Sequence, residues 1–447
     1  MNQSVKLDQN DDLLCTLNES LKEHNVPGLS IGIIDPACMS DNRIGDEKIP
    51  SCVYTVSAGH SKKADTGDEK NVCMNEDTWM QHASLSKTIA AAFSIEYFSK
   101  LDIPLTTPVN ELFDKLGSEG NCSGYRLKSG TDLPTEWAEK VTLAMLINHT
   151  ALGMHYVYGI PPSREGGMPA VLDLLTGVYH DDYGYADMPV DREPGTQFKY
   201  SGGGFLVLQH LLELREKKPI EVILRPFLDA CGMPASTFSF DQVALGGNAH
   251  KCASGYLEDG SMVQDSRLMF PPLAAGGHGT AVAMATFLFH LGTAYKLPAG
   301  EKSGAISHAT AVLMIDTGRP GDNPSAIQQQ CFEFMRSNMG LGVFVLSAGP
   351  NTFLLHQAAN DGFRGLYLVC VDGPDALQGP RGAVILSNGN NNAMFLNCAV
   401  AKAVLKTMKF QGMDWSLVDG KDFSSKGIAQ EQIVNLGLRE LVLAAFQ

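Results

Sequence analysis

No apolar run in the 447 residues is long enough to span a bilayer, so no membrane-spanning helix is expected. Met1 to Asp12 carries Lys6, Asp8, Asp11 and Asp12 around no apolar stretch, and a standard secretory signal is not expected in the chain as given. The ten cysteines are scattered, and the closest two, Cys38 and Cys52, stand fourteen positions apart, which excludes a zinc knuckle and a C-x-x-C redox pair. Buried free thiols in a reducing, cytoplasmic setting are the expectation, with a disulfide between distant cysteines left open. Positive charge is also short: 34 Lys and Arg stand against 49 Asp and Glu, for a net charge of -15. Such a surface repels phosphate backbones and anionic membranes, so neither nucleic acid nor a membrane is an expected partner. No H-E-x-x-H zinc helix, no phosphate-binding G-x-x-x-x-G-K and no G-x-S-x-G nucleophile elbow is read.

What is present is an ordinary globular mixture, 44 % apolar and 19 % charged, long enough for two packed domains or one large core with an insertion. Leu13, Leu14, Leu17 and Leu21 recur at helical spacing and predict a helix from about Asp11 to His24, stopped by Pro27 and Gly28. Strands are predicted at Leu29 to Ile34 and Val53 to Ser57, separated by a polar loop with Asp41, Arg43, Asp46, Glu47 and Lys48, and a helix over about 83 to 100. The middle mixes helical patches, Val141 to Ile147 and Phe205 to Leu214, with Gly/Pro-rich connections. Four strands then follow at hairpin spacing: Gly340 to Leu346, Thr352 to His356, Leu366 to Val371 and Ala383 to Ser387. Helices are predicted at Asn392 to Met408 and, amphipathic, at Ile428 to Phe446. Strands at both ends around a helical middle predict a sheet domain, residues 1–105 with 335–447, interrupted by a mainly helical domain over 106–334.

The segment Ala83-Ser84-Leu85-Ser86-Lys87 stands where a polar loop turns into an apolar helix, and no other serine in the chain is followed by a lysine three residues on. Three residues is nearly one helical turn, so Ser84 and Lys87 share a face on which the amine can take the hydroxyl proton. Unpaired N–H groups at a helix N-terminus favour developing negative charge there. For Lys87 to act as a base its pKa must fall, through burial or a neighbouring positive charge. The plainer reading makes Ser84 an N-cap and Lys87 a solvent-facing residue, with Ser86 a competitor for the nucleophile role.

Further segments extend the pattern. Leu101-Asp102-Ile103-Pro104-Leu105 follows the helix; Leu146-Ile147-Asn148-His149-Thr150-Ala151-Leu152-Gly153, Glu193-Pro194-Gly195 through Tyr200-Ser201-Gly202, Ala274-Ala275-Gly276-Gly277 and His356 through Arg364 come later. In that order, over residues 28 to about 405, they resemble the motifs of the serine β-lactamase and penicillin-binding protein superfamily, in its class C-like branch with esterases, D-amino-acid peptidases and acyltransferases. The resemblance implies an α+β, β-lactamase/transpeptidase-like fold, an antiparallel sheet flanked by helices with an inserted mainly helical domain. It implies Ser84 as acylated nucleophile, Lys87 as proton acceptor and Tyr200 as proton shuttle, with the N–H groups of Ser84 and Ala359 as oxyanion hole. His356 would sit on an edge strand beside the substrate, with Gly202 and Ala358 also at the substrate. Read from the residues alone, Tyr200 is a packing residue with an ordinary pKa near 10, His356 a solvent-facing side chain, and His149 a structural hydrogen-bonder.

Two departures matter. Gly202 stands where the second motif has asparagine, which removes an amide that helps hold the lysine and the substrate's acyl amide and puts amide and β-lactam substrates in doubt. Ala358 replaces a glycine, and its methyl is expected to narrow the approach of substrate to the strand. The expectation is a serine hydrolase or acyltransferase forming an acyl-enzyme at Ser84 with a small or medium ester, with no metal and no organic cofactor. Two alternatives stay open: a D-amino-acid peptidase or β-lactam amide hydrolase, and a non-catalytic binding or assembly protein. The loops His155 to Met168 and Tyr179 to Met188, with Tyr156, Tyr158, Tyr179, Tyr183 and Tyr185, either line a pocket or pack on themselves. The oligomeric state is open.

Overall fold

In a computed structural model of the chain, residues 10–36, 50–64, 70–120, 124–153, 157–317 and 338–410 are described. The first elements are α1 (Asp11–Glu23), β1 (Gly28–Ile34), β2 (Val53–Lys62), β3 (Val72–Cys73), β4 (Met80–Gln81) and α2 (Ser86–Lys100). The middle holds α3 (Val109–Ser118), α4 (Glu136–Lys140), α5 (Leu143–Ile147), α6 (Val171–Leu175), α7 (His180–Tyr183), α8 (Gly203–Glu216), α9 (Ile220–Ala230), β5 (Phe238–Ser239), β6 (His278–Gly279), α10 (Ala281–Lys296), β7 (Lys302–Ser303), β8 (Ile306–Ser307) and α11 (His308–Asp316). The chain then runs through β9 (Asn338–Met339), β10 (Phe344–Ala348), β11 (Asn351–Asn360), β12 (Phe363–Asp372), β13 (Arg381–Ser387) and α12 (Asn391–Thr407). The polar loop around Asp41 to Lys48, Tyr156 and the amphipathic stretch Ile428 to Phe446 lie outside the described residues.

The N-terminal helix starts where predicted because the Asn10 side chain accepts the Leu13 N–H at 2.8 Å, and Leu13, Leu17 and Leu21 turn one stripe inward. The strands form an eight-stranded sheet in the order β3-β2-β1-β13-β12-β11-β10-β9, every neighbouring pair antiparallel. β1 pairs with β13 from Leu29↔Ser387 to Ile34↔Gly382, so the C-terminal strands complete the sheet begun at the N-terminus. The fold is therefore the expected α+β type.

Alternation along the strands divides the core. Leu29, Ile31 and Ile33 of β1 and Ile385 of β13 join α1 and α12 on one face. Ile34, Val384 and Leu386 join α2, α8 and α10 on the other. Helix α10, within the 106–334 stretch, packs across β1, β2, β12 and β13. Its first residue crosses so close that a Cβ at Gly32 would lie 2.4 Å from the Ala281 carbonyl oxygen, so only glycine fits at that point of β1. Among the described residues no helix is long and apolar enough to cross a membrane.

The letters G-x-S-x-G do occur once, as Gly28 to Gly32, which corrects the reading that they are absent. They form no nucleophile elbow: Ser30 lies inside β1, is buried, and accepts a hydrogen bond from the Ser57 hydroxyl at 3.2 Å.

Candidate active site

The helix predicted to begin at residue 83 starts as a 3-10 turn, Ala83–Leu85, and continues as α2 from Ser86. Ala83, directly before Ser84, has φ +45, a left-handed conformation that an alanine adopts only at a cost of about 1–3 kcal/mol. Ser84 does not cap the helix: the N-cap of α2 is Leu85, without a side-chain cap bond. Lys87 is 1 % exposed and not solvent-facing, and its Nζ lies 3.1 Å from Ser84 Oγ. The same amine donates to the Ala274 carbonyl at 2.6 Å, and among the described residues it has no ion-pair partner. Burial alone pushes its pKa down to about 7. Of the two causes foreseen for a neutral lysine, desolvation is the one that acts. Ser86, the competing serine, is fully buried and accepts the Gly277 N–H at 3.0 Å.

Tyr200 stands beside this pair, with Lys87 Nζ 4.9 Å from its ring centroid and over the ring face. Its hydroxyl is buried and makes no hydrogen bond of regular geometry; burial pushes it above its ordinary value of 10, an effect the Ser84 side chain offsets in part. Of the two groups, burial therefore holds the Tyr200 hydroxyl in its protonated form and favours the neutral amine of Lys87. The ring of His149 lies tilted against Tyr200 at 4.3 Å, and His149 Nδ1 accepts the Ser201 N–H at 3.0 Å. His149 thus fixes the segment that carries Tyr200, while burial first and the Lys87 charge second hold it well below 6.5.

Strand β11 is an interior strand for half its length. Its pairing with β10 ends at Phe344↔Leu355, whereas pairing with β12 continues to Asn360↔Phe363, so residues 356–360 have one unpaired edge. His356 is on that edge but faces inward, 1 % exposed, with its ring 6.1 Å from Tyr200. Its Nδ1 is 2.6 Å from the Gln357 carbonyl, its Nε2 has no partner, and burial with the Lys87 charge lowers its pKa to about 3. The solvent-facing reading of His356 fails because the side chain turns toward Lys87 and Tyr200 rather than out of the sheet. A two-residue turn, Asp361-Gly362, closes the hairpin on Asn360↔Phe363; in such a hairpin the closing pair bond each other, so the main-chain groups of Ala359 face the unpaired edge.

The two departures take concrete form. Gly202 is the buried N-cap of α8 and offers Lys87 no side-chain acceptor, leaving Ser84 Oγ and Ala274 O as its hydrogen-bond partners among the described residues. Ala358 is 2 % exposed and pairs across with Gly365, where a Cβ would come within 3.2 Å of the Ala358 methyl. The methyl is thus buried against Gly365, on the same face of β11 as His356 and Asn360. Tyr185 is buried and its hydroxyl donates to the Tyr158 carbonyl at 2.7 Å, while Arg164 donates to the Tyr179 hydroxyl at 2.7 Å. These loop aromatics pack on one another.

Sequence reasoning flagged Ala274 and Asn360 only through the stretches that contain them and missed Gln81. Asn360 Nδ2 donates to Gln81 Oε1 at 2.7 Å and to the Ala275 carbonyl at 3.1 Å. No local pattern signals a contact between residues so far apart in the chain. Among the described residues no three His, Cys, Asp or Glu side chains converge as metal ligands.

A family model described as Beta-lactamase matches residues 19–404. Among solved structures, the D-amino acid amidase from Ochrobactrum anthropi SV3 in complex with D-phenylalanine is similar with a TM-score of 0.61 and 16% identity, over 90% of this chain and 99% of that one. The octameric penicillin-binding protein homologue from Pyrococcus abyssi aligns with a TM-score of 0.58 and 17% identity, over 92% and 81%. A D-alanine carboxypeptidase from Burkholderia cenocepacia aligns with a TM-score of 0.57 and 18% identity, over 89% and 100%. At these identities the likeness is one of fold. No curated protein sequence matches the chain.

Proposed function

The chain belongs to the β-lactamase family, and from that premise we propose that it is a serine hydrolase or acyltransferase that forms an acyl-enzyme at Ser84 from a small or medium, uncharged ester. The observation that carries this reading is the 3.1 Å approach of Ser84 Oγ to a buried lysine whose pKa falls to about 7. The neutral Lys87 amine takes the Ser84 proton as Oγ attacks the ester carbonyl, and the tetrahedral oxyanion is held by the N–H groups of Ser84 and Ala359. Tyr200, still protonated, gives its proton to the departing alkoxide and recovers one from the Lys87 ammonium. Water or another acceptor alcohol then enters by the reverse sequence, which restores Ser84.

The uncharged substrate follows from the site's charge. His356 is neutral by burial, and among the described residues Lys87, itself lowered to about 7, is the one amine in contact with Ser84 or Tyr200, so a substrate carboxylate would meet no fixed positive partner. Gly202 brings no amide to hold a substrate's acyl amide, which favours esters. A cytoplasmic setting goes with the seven described cysteines, all free thiols. A second reading, hydrolysis of small D-amino-acid amides, is favoured by the fold likeness to a D-amino acid amidase.

The test is a burst and steady-state assay on p-nitrophenyl esters of increasing chain length and on D-phenylalanine amide, with intact-mass detection of the adduct and Ser84→Ala alongside. A Ser84-dependent adduct with esters is expected. Adduct or full turnover in folded Ser84→Ala overturns the reading, and faster turnover of the amide moves it to the amidase.

A further inference from the structure

The side chain of Asn360 joins three segments that are remote in sequence. It is 5 % exposed, and its Nδ2 donates both to Gln81 Oε1 and to the Ala275 carbonyl. Gln81 lies on β4, three residues before Ser84, and its own amide is oriented by donating to the Leu268 carbonyl at 2.6 Å, which leaves Oε1 as the acceptor for Asn360. Ala275 belongs to the π-helical turn Pro272–Gly276, and its neighbour Ala274 accepts from Lys87. Asn360 itself follows Ala359, whose main chain faces the unpaired edge of β11. Its carbonyl is held in turn by the buried Arg364 guanidinium at 2.5 Å.

We propose that Asn360 is a positioning residue of the oxyanion hole: its amide ties the end of β11 to the strand leading into Ser84 and to the turn that seats Lys87. The inference rests on the acyl-enzyme reading of Ser84. Its physical basis is the steep dependence of charge stabilisation on donor placement. An oxyanion donor works only at hydrogen-bond distance from where the charge develops, and here the two donors come from segments more than 270 residues apart. Covalent geometry sets no distance between them. A buried amide with one donor bond to each side does.

Asn360→Leu removes both bonds at similar volume. The expected result is a fall in the acylation rate of about 10- to 100-fold with little change in KM. The infrared carbonyl stretch of the Ser84 acyl-enzyme should move to higher frequency, because a misplaced donor polarises the carbonyl less. Should Asn360→Leu not fold, Gln81→Met, which takes away the acceptor and leaves Asn360 in place, gives the same comparison. A wild-type adduct with an unchanged rate and carbonyl frequency in the folded variant overturns this proposal alone. Absence of any adduct at Ser84 in the wild type overturns the acyl-enzyme reading, and the proposal with it.

Discussion

Replacing Lys87 with methionine tests the central physical claim, that burial alone neutralises the amine. The ordinary value of 10.5 falls to about 7 in the folded protein. Because the folded value lies below the unfolded one, unfolding binds a proton between those two pH values. Wild-type stability should therefore rise with pH across that window by about 1.4 kcal/mol per pH unit. The destabilising contribution is complete below about pH 7 and gone above 10.5. Lys87→Met lacks this contribution, and its lost bond to the Ala274 carbonyl adds an offset of about 1–3 kcal/mol that does not vary with pH. Urea unfolding of both proteins at matched pH gives the difference directly above pH 7, where His149 and His356, the groups that feel the Lys87 charge, stay neutral in both. From about pH 7 to about pH 9 the wild type should gain roughly 2 kcal/mol relative to the variant, since the slope is only half developed at pH 7. Parallel curves would mean that Lys87 keeps an ordinary pKa in the folded state and cannot serve as the base.

Three other outcomes follow from the same geometry. Tyr200→Phe should lower kcat by about 10²–10⁴-fold while leaving stability equal or higher, because the hydroxyl it removes is buried without a regular partner; an unchanged kcat rules out the proton-donor role. Ser86→Ala should keep the Ser84 adduct by intact mass and lose about 1–3 kcal/mol by denaturation, since Gly277 N–H is left without its acceptor; loss of the adduct in a folded variant would make Ser86 the nucleophile. Gly32→Ala drives a methyl into the Ala281 carbonyl and should cost roughly 3 kcal/mol in denaturant unfolding, and a neutral result would mean that α10 does not cross β1 as closely as described.

The secondary-structure elements were legible where the pattern is local. Leu13, Leu17 and Leu21 announce α1, and the β-rich run Leu29 to Ile34 announces β1, whereas that its faces meet α1 and α10 is seen only in the structure. The short strands β4, β5 and β6 were not read, because two residues carry no periodicity and their pairing is entirely long-range. The 3-10 entry to α2 was missed for a related reason: the left-handed conformation of Ala83 is imposed by its surroundings and contradicts alanine's own preference.

At the site, the division follows the range of each interaction. The i, i+3 spacing of Ser84 and Lys87 by itself determined that the two share a helical face, since helix geometry depends on neighbours in the chain. Motif order pointed to Tyr200, Ala359 and His356. Only the tertiary structure decided which of these groups carries a charge. Lys87 is lowered to about 7 by burial among several elements, and its second acceptor, Ala274, lies 187 positions away. His356 turned out neutral and inward-facing, and the methyl of Ala358 buried, because both are set by packing against Tyr200, Tyr367 and Gly365. Desolvation and hydrogen bonds between distant segments depend on the position of every neighbouring atom, and a linear pattern holds no record of those positions.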